Sequence, residues 1–367
     1  MDIKPIKVNS LRDLPEAPIS QGVTLVRKTG TWKNVKPIIG ERSAPCENAC
    51  PLKIRIPKFI DYLTKHEQDK ASLEILRWNP FPTITGRLCP AKCETGCNRN
   101  KYDEKVSIRE LEKFLGDSFL NRKHIERKER KAGKVAVLGG SVSGMAAAYV
   151  MLSEGFEVHL FLKSHETFED VREKIPSEVL DAEGKILKNA GLEFHENARF
   201  ELSSIQKEYD FVFVSSFSYP TMVEVQEPKT GKTNYEKVYS SIEDQDISKT
   251  IKNAITAAYN IAASASGTEY IEEKLGRVVP FKEIITDYFN HEPSVKEILE
   301  TGTAIQEALR CFSCGTCNSC GNCYVFCPDF AVKWVDNFPE FDYDYCKGCG
   351  VCVNECPRGI LELIPEK

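Results

Sequence analysis

The chain of 367 residues carries fifteen cysteines, and their spacing is that of metal ligands. Cys317, Cys320, Cys323 and Cys327-Pro328 follow C-x2-C-x2-C-x3-C-P, and Cys346, Cys349, Cys352 and Cys356-Pro357 repeat it. One short loop can deliver three thiolates to one face of an iron–sulfur cube, and in this bacterial ferredoxin run the fourth cysteine crosses to the other cluster. The spacing therefore assigns Cys317, Cys320, Cys323 and Cys356 to one cluster, and Cys346, Cys349, Cys352 and Cys327 to a second. Zinc is the competing reading, but zinc sites use pairs of C-x2-C, not a tandem run of four closed by proline.

A second group lies upstream: Cys46, Cys50-Pro51, Cys89-Pro90, Cys93 and Cys97, with no cysteine between Cys97 and Cys311. The strings PCENACPLKIRIPKFIDYL, NPFPTITGRLCPAKCETGC and VSIRELEKF resemble the N-terminal iron–sulfur domain of the glutamate synthase small (β) subunit, a domain that dihydropyrimidine dehydrogenase shares. That resemblance implies two 4Fe–4S clusters, one with a non-cysteine ligand. Carried over residue by residue, it implies that Cys50, Cys89, Cys93 and Glu112 hold the mixed cluster. Without the resemblance, Glu112 reads as an ordinary helix glutamate. The family's other cluster implies Cys46, Cys97 and an upstream C-x2-C pair, which residues 1–45 lack. The string EALRCFSC, usual for that pair, occurs at Glu307–Cys314 instead. Either Cys311 and Cys314 complete the cluster with Cys46 and Cys97, or they are unliganded and the N-terminal domain holds a single cluster.

Between the two cysteine groups, KVAVLGGSVSGMAAAYVMLSEGFEVHLFL reads as strand, glycine turn, helix and strand, the start of a dinucleotide-binding fold. Further strands are expected at Leu192–His195 and Phe211–Val214, and helices at Pro176–Ala190 and Ile247–Ser264. The candidate cofactor residues are Gly139, Gly140, Ser141 and Gly144, and continuing the resemblance implies a flavin-binding half. The departures from that pattern are many. Ser141 stands where the second glycine lets the backbone approach a pyrophosphate, and Leu162 stands where an acidic residue holds the ribose. KSHETFEDVREK replaces a glycine-rich stretch, SSFSYP a glycine-rich turn, and Glu243-Asp244 a glycine–aspartate pair. The stretch from Val214 to Lys249 is too short for the family's nicotinamide domain. Two readings follow: a disused flavin-type domain kept as a scaffold, or FAD held in a truncated domain by the helix N-terminus.

The elements that must position these groups fall into five stretches. Residues 1–41 read as an extended N-terminal arm and 42–130 as an α-helical iron–sulfur domain. A truncated Rossmann-like, flavin-type domain follows over 131–268, then a connecting strap over 269–306 and a two-cluster ferredoxin domain over 307–367. The fold class is multidomain α/β. Hydrophobic content of 41% supports packed cores, and a net charge of −5 argues against a nucleic-acid binder. Neither a secretory leader nor an apolar run long enough to span a bilayer is seen, so the cytoplasm is the expected compartment. The six histidines show no metal-ligand spacing and read as ordinary surface or core residues. The expected function is an electron-transfer subunit of a larger redox complex, with three to four 4Fe–4S clusters. Other subunits and a ferredoxin or similar carrier are the expected partners. The alternatives are an FAD-containing subunit that splits electron pairs into the clusters, and an assembly factor with clusters as folding staples.

Overall fold

A computed structural model describes residues 28–129 and 133–366; of the arm expected over residues 1–41, residues 1–27 lie outside the described residues. Short β1 (Val35–Ile39) and β2 (Arg42–Ser43) lead into six helices: α1 (Pro45–Ala49), α2 (Ile56–Thr64), α3 (Gln68–Leu76), α4 (Pro82–Leu88), α5 (Lys92–Thr95) and α6 (Ile108–Phe119). Pro45, Pro57 and Pro82 sit in the first turns of α1, α2 and α4, where the missing N–H costs nothing.

Strand and helix then alternate through β3 (Lys134–Leu138), α7 (Val142–Ser153), β4 (Glu157–Phe161), α8 (Ser177–Asn189), β5 (Leu192–His195), α9 (Leu202–Glu208) and β6 (Phe211–Val214). A meander of β7 (Val225–Glu227), β8 (Lys232–Thr233) and β9 (Val238–Ser240) precedes the long α10 (Ile247–Ala265). The sheet runs β5-β4-β3-β6-β9-β8-β7; its first five strands are parallel, and β8 and β7 turn antiparallel. Helix α7 is apolar on all sides and buried along nearly its whole length, as a helix sandwiched between a sheet and α10 must be.

The remaining elements are β10 (Arg277–Val278), α11 (Thr301–Leu309), α12 (Asn322–Val325), β11 (Val332–Val335), β12 (Phe338–Phe341), α13 (Val351–Asn354) and β13 (Leu361–Pro365). Among the described residues no helix is long and apolar enough to cross a membrane.

The chain divides into two compact units that cut across the five stretches read from sequence. The large unit is 44–275 with 290–311. It joins the helical cysteine stretch to the parallel sheet, because Lys123 and Glu183 form a fully buried ion pair between them and Thr83 Oγ1 donates to Glu183 Oε1 at 2.7 Å. Helix α11, placed by sequence across the strap and ferredoxin boundary, belongs here too. Buried Glu307 accepts from the Ser107 N–H at 2.7 Å, and buried Arg310 donates to the carbonyls of Glu104 and Lys105 at 2.7 and 3.1 Å.

The second unit is discontinuous: residues up to 43, 276–289 and 312–367. Antiparallel β1 pairs with β13 from Val35↔Pro365 to Ile39↔Leu361, and β2 pairs in parallel with β10. Arg42 ties the three stretches together, reaching Glu362 at 2.7 Å and Glu283 at 3.4 Å. Its core is Cys323, Val332, Cys352 and Leu361, with Ile39, Phe341 and Ile360 packed around them.

Candidate metal centres

In the discontinuous unit the two ferredoxin runs fold alike. Gly321 and Gly350 stand just before α12 and α13 with φ of +85° and +80°, a backbone that favours glycine, and each turns the chain so that the next helix presents Cys323 or Cys352. Cys317, Cys320, Cys323 and Cys356 line one cavity. Cys327, Cys346, Cys349 and Cys352 line another. Burial pushes the Cys323 thiol up to about 11, and the nearby Cys317, Cys320 and Cys356 add to the rise. Cys352 goes up to about 12 by burial, with Cys346, Cys349 and Cys327 as its sulfur neighbours. The structure thus brings together both four-cysteine groupings expected from the spacing. A backbone N–H from Ala331 points at Cys327 Sγ at 3.3 Å.

In the large unit, α4 and α6 cross backbone to backbone. A β-carbon on Gly86 would lie 2.6 Å from Lys113 Cα, and one on Gly116 2.8 Å from the Thr83 nitrogen. That close crossing sets Thr85 on α4 beside Glu112 on α6, with Cys89 at the end of α4. Thr85 Oγ1 and Asn79 Nδ2 both donate to Glu112 Oε1, at 2.6 and 2.7 Å, so the carboxylate is oriented through one oxygen. Burial pushes Glu112 up to about 7 against those two hydrogen bonds. Cys50, also buried, is pushed up to about 12, with Glu112 and Cys89 contributing, and Cys93 rises through burial and the neighbouring Cys50, Glu112 and Cys89. Cys50, Cys89, Cys93 and Glu112 therefore share one site. The Ala91 N–H donates to Cys89 Sγ at 3.4 Å.

Cys46 and Cys97 lie on touching elements: a β-carbon on Gly96 would meet Ala49 Cβ at 3.1 Å and the Pro45 carbonyl at 3.2 Å. Arg99 Nη1 donates to the Arg310 carbonyl at 2.7 Å, which brings the residue before Cys311 to the Cys97 loop. Burial raises Cys97, and the guanidiniums of Arg310 and Arg99 work against that rise. Cys46, Cys97 and Cys311 all belong to the large unit, whereas Cys314 belongs to the discontinuous one.

The donor chemistry of these groups fits iron–sulfur clusters. Buried thiols that raise one another are stable as thiolates only around a cation, and amide N–H groups aimed at sulfur are the polar environment that tunes such clusters.

The glycine turn after β3 is built differently. Ser141 is the N-cap of α7, and its hydroxyl lies 2.6 Å from Ser215 Oγ and 2.9 Å from Ser143 Oγ. Ser143 Oγ donates to Glu243 Oε1 at 2.7 Å. The Val142 N–H, at the helix N-terminus where a pyrophosphate would be bound, donates instead to Asp170 Oδ1 at 2.9 Å. Ser218 packs so closely on Gly139 that a β-carbon there would lie 2.2 Å from its hydroxyl, and Ser218 also donates to Glu169. Phe168, fully buried, hydrogen-bonds through its N–H to the Gly140 carbonyl. The segments that replace the glycine-rich stretches thus fill the turn formed by Gly139, Gly140, Ser141 and Gly144, and these residues do not fit FAD as they stand.

One grouping escaped the sequence reading. His159 and His195, which read from sequence as ordinary histidines, meet on neighbouring strands with Nδ1 and Nε2 2.9 Å apart. The signal was the repeated E-x-H at Glu157–His159 and Glu193–His195, legible only once β4 and β5 are known to be adjacent.

Residues 39–124 match the family described as dihydropyrimidine dehydrogenase domain II, 4Fe-4S cluster, and residues 338–361 match a 4Fe-4S binding domain. The chain carries 4Fe–4S-binding segments in both places. It is similar to the NADPH-Fe(3+) oxidoreductase subunit beta of Geobacter sulfurreducens, 34% identical over 143 residues, 38% of this chain and 21% of that protein. The NADP(+)-dependent formate dehydrogenase subunit beta of Moorella thermoacetica is 26% identical over 47% of this chain and 29% of its own length. The glutamate synthase [NADPH] small chain of Bacillus subtilis is 26% identical over 46% and 36%. The chain thus spans between about a fifth and about a third of these relatives' length.

Proposed function

We propose that this chain is an electron-relaying subunit of a larger cytoplasmic oxidoreductase complex, carrying three to four 4Fe–4S clusters and no flavin. The observation that carries the reading is the contrast between sites: three groups of four donors converge, while the glycine turn that a flavin would need is filled by the protein's own side chains. The first two clusters are assigned to Cys317, Cys320, Cys323 with Cys356, and to Cys346, Cys349, Cys352 with Cys327. The third is assigned to Cys50, Cys89, Cys93 and Glu112, and Cys46, Cys97 and Cys311 are candidates for a fourth.

Bound there, the clusters supply one-electron transfer; the chain's own residues bind, bury and orient. Asn79 and Thr85 hold Glu112 through Oε1, which leaves Oε2 as the ligand atom. Carboxylate ligation gives that site a potential unlike the all-cysteine ones. Apolar side chains stand exposed beside the first ferredoxin set, among them Tyr324, Val325 and Trp334. A patch of this kind suits a partner subunit or a small electron carrier. The parallel-sheet stretch acts as a truncated Rossmann-type scaffold.

The test is iron, sulfide and flavin content of protein purified without oxygen. About twelve to sixteen irons per chain, three or four cubanes, with no flavin and reversible bleaching by dithionite, is the expected result. Zinc in place of iron, or one flavin per chain, would overturn the reading. Cys311→Ser separates the counts: loss of about four irons assigns Cys311 to a fourth cluster, and unchanged iron removes it.

A further inference from the structure

The parallel sheet carries a second kind of metal-binding chemistry, built from nitrogen and oxygen. Strands β4 and β5 pair with His159 opposite Glu193 and Phe161 opposite His195, so the two E-x-H strings place four polar side chains on one face. A β-strand sends alternate residues to the same side, which is why Glu157, His159, Glu193 and His195 converge. His159 Nδ1 lies 2.9 Å from His195 Nε2 and 3.5 Å from Glu193 Oε2. One ligand atom from each of His159, His195 and Glu193 falls within 4.8 Å of the others.

The surroundings orient these groups. His159 Nε2 lies 2.9 Å from Glu157 Oε1; with that nitrogen carrying the proton, the Nδ1 lone pair faces His195 and Glu193. A carboxylate on the far nitrogen is the usual support of a metal-binding histidine. Tyr209 meets the His159 ring edge-on at 5.3 Å, and Phe161 stacks on His195 at 4.5 Å. His159 is buried, whereas Glu157 and Glu193 are exposed. Lys134 stands outside the ligand set, 3.6 Å from Glu157 and 3.8 Å from Glu208.

We infer that His159, His195 and Glu193 bind a divalent transition-metal ion of the zinc class, with Glu157 as the carboxylate that positions His159. Two histidines and a carboxylate are a known three-ligand set for zinc, leaving the fourth position to water. The nitrogens need part by only about 0.5 Å to sit around one ion at zinc–nitrogen distances. The His195 proton then resides on Nδ1, so both imidazoles bind neutral and no proton is released. The bound ion ties β5, the edge strand, to β4 through side chains.

Cluster-loaded protein, kept anaerobic so that its cysteines stay ligated, is titrated with Zn²⁺ by calorimetry. One equivalent should bind with micromolar or tighter Kd, weakened at least 100-fold by His195→Gln and about tenfold by Glu157→Gln. A wild-type protein that binds no Zn²⁺, or a His195→Gln variant that binds it equally well, would overturn the inference. Zinc-edge X-ray absorption on the wild type is the check that needs no variant. A first shell of nitrogen and oxygen near 2.0 Å supports the site, and sulfur near 2.3 Å rejects it. Neither result depends on the number of clusters or on electron relay.

Discussion

The cysteine-lined cavities of the discontinuous unit and the glycine turn of the large unit are both places where a backbone turn presents polar groups to a ligand. They differ in what meets those groups. Around Cys323 or Cys352 the neighbours are more thiols, which add to the rise that burial causes, so the set is completed from outside. At Gly139–Gly144 three donors meet a carboxylate or hydroxyl from the same chain: Val142 meets Asp170, Ser143 meets Glu243, and Ser141 meets Ser215. A shared motif therefore says little about binding until the partners of its polar groups are counted.

The largest effect separating the two regions is in iron. Cys352→Ala should remove one cubane, about four irons, whereas Ser141→Gly should remove none; equal losses by iron assay would erase the contrast. Flavin affinity is the next discriminator. Equilibrium dialysis should show FAD binding no tighter than about 1 mM, and micromolar binding would mean that the Asp170 and Ser218 contacts yield to it.

Stability sharpens the same comparison inside the large unit. Lys123→Met leaves Glu183 buried and unpaired, and should cost about 3–5 kcal/mol by denaturant unfolding; adding Glu183→Leu should recover much of it. The smallest effect is a pH slope. Burial pushes Asp170 from 3.8 up to about 6, so the folded chain holds a proton there that the unfolded chain releases first. Its contribution is full below about pH 4 and falls as pH rises through about 6, by at most about 3 kcal/mol. Asp170→Asn keeps an acceptor for the Val142 N–H and removes that slope, so the variant's Tm should exceed the wild type's at pH 8 and match it near pH 4.

What could be read from the sequence was whatever depends on near neighbours. The two ferredoxin groupings follow from spacings of two and three residues, and the strands Lys134–Leu138, Leu192–His195 and Phe211–Val214 follow from short apolar runs; each appears at those bounds. The departures at Ser141, SSFSYP and Glu243 were visible singly. Their fit to one another was not, because it joins residues some 70 to 100 positions apart. Glu112 could be singled out only by resemblance, since its orientation depends on Asn79 and Thr85 across a helix crossing. The pairing of His159 with His195 waits on sheet order, and the pairing of β1 with β13 on contacts between opposite ends of the sequence.

That last pairing has a consequence for the order of synthesis. β1 is made well before β13, with the whole stretch from 44 to 275 between them. The large unit's first stretch can collapse while translation continues, since domains fold as they are completed. The ferredoxin turns must wait for the final strand before β1 has a partner. Closing so long a loop costs little more than closing one half its length, so the delay is one of timing, not of stability. An isolated fragment beginning at Phe312 would have all eight ferredoxin cysteines and still present β13 as an unpaired edge.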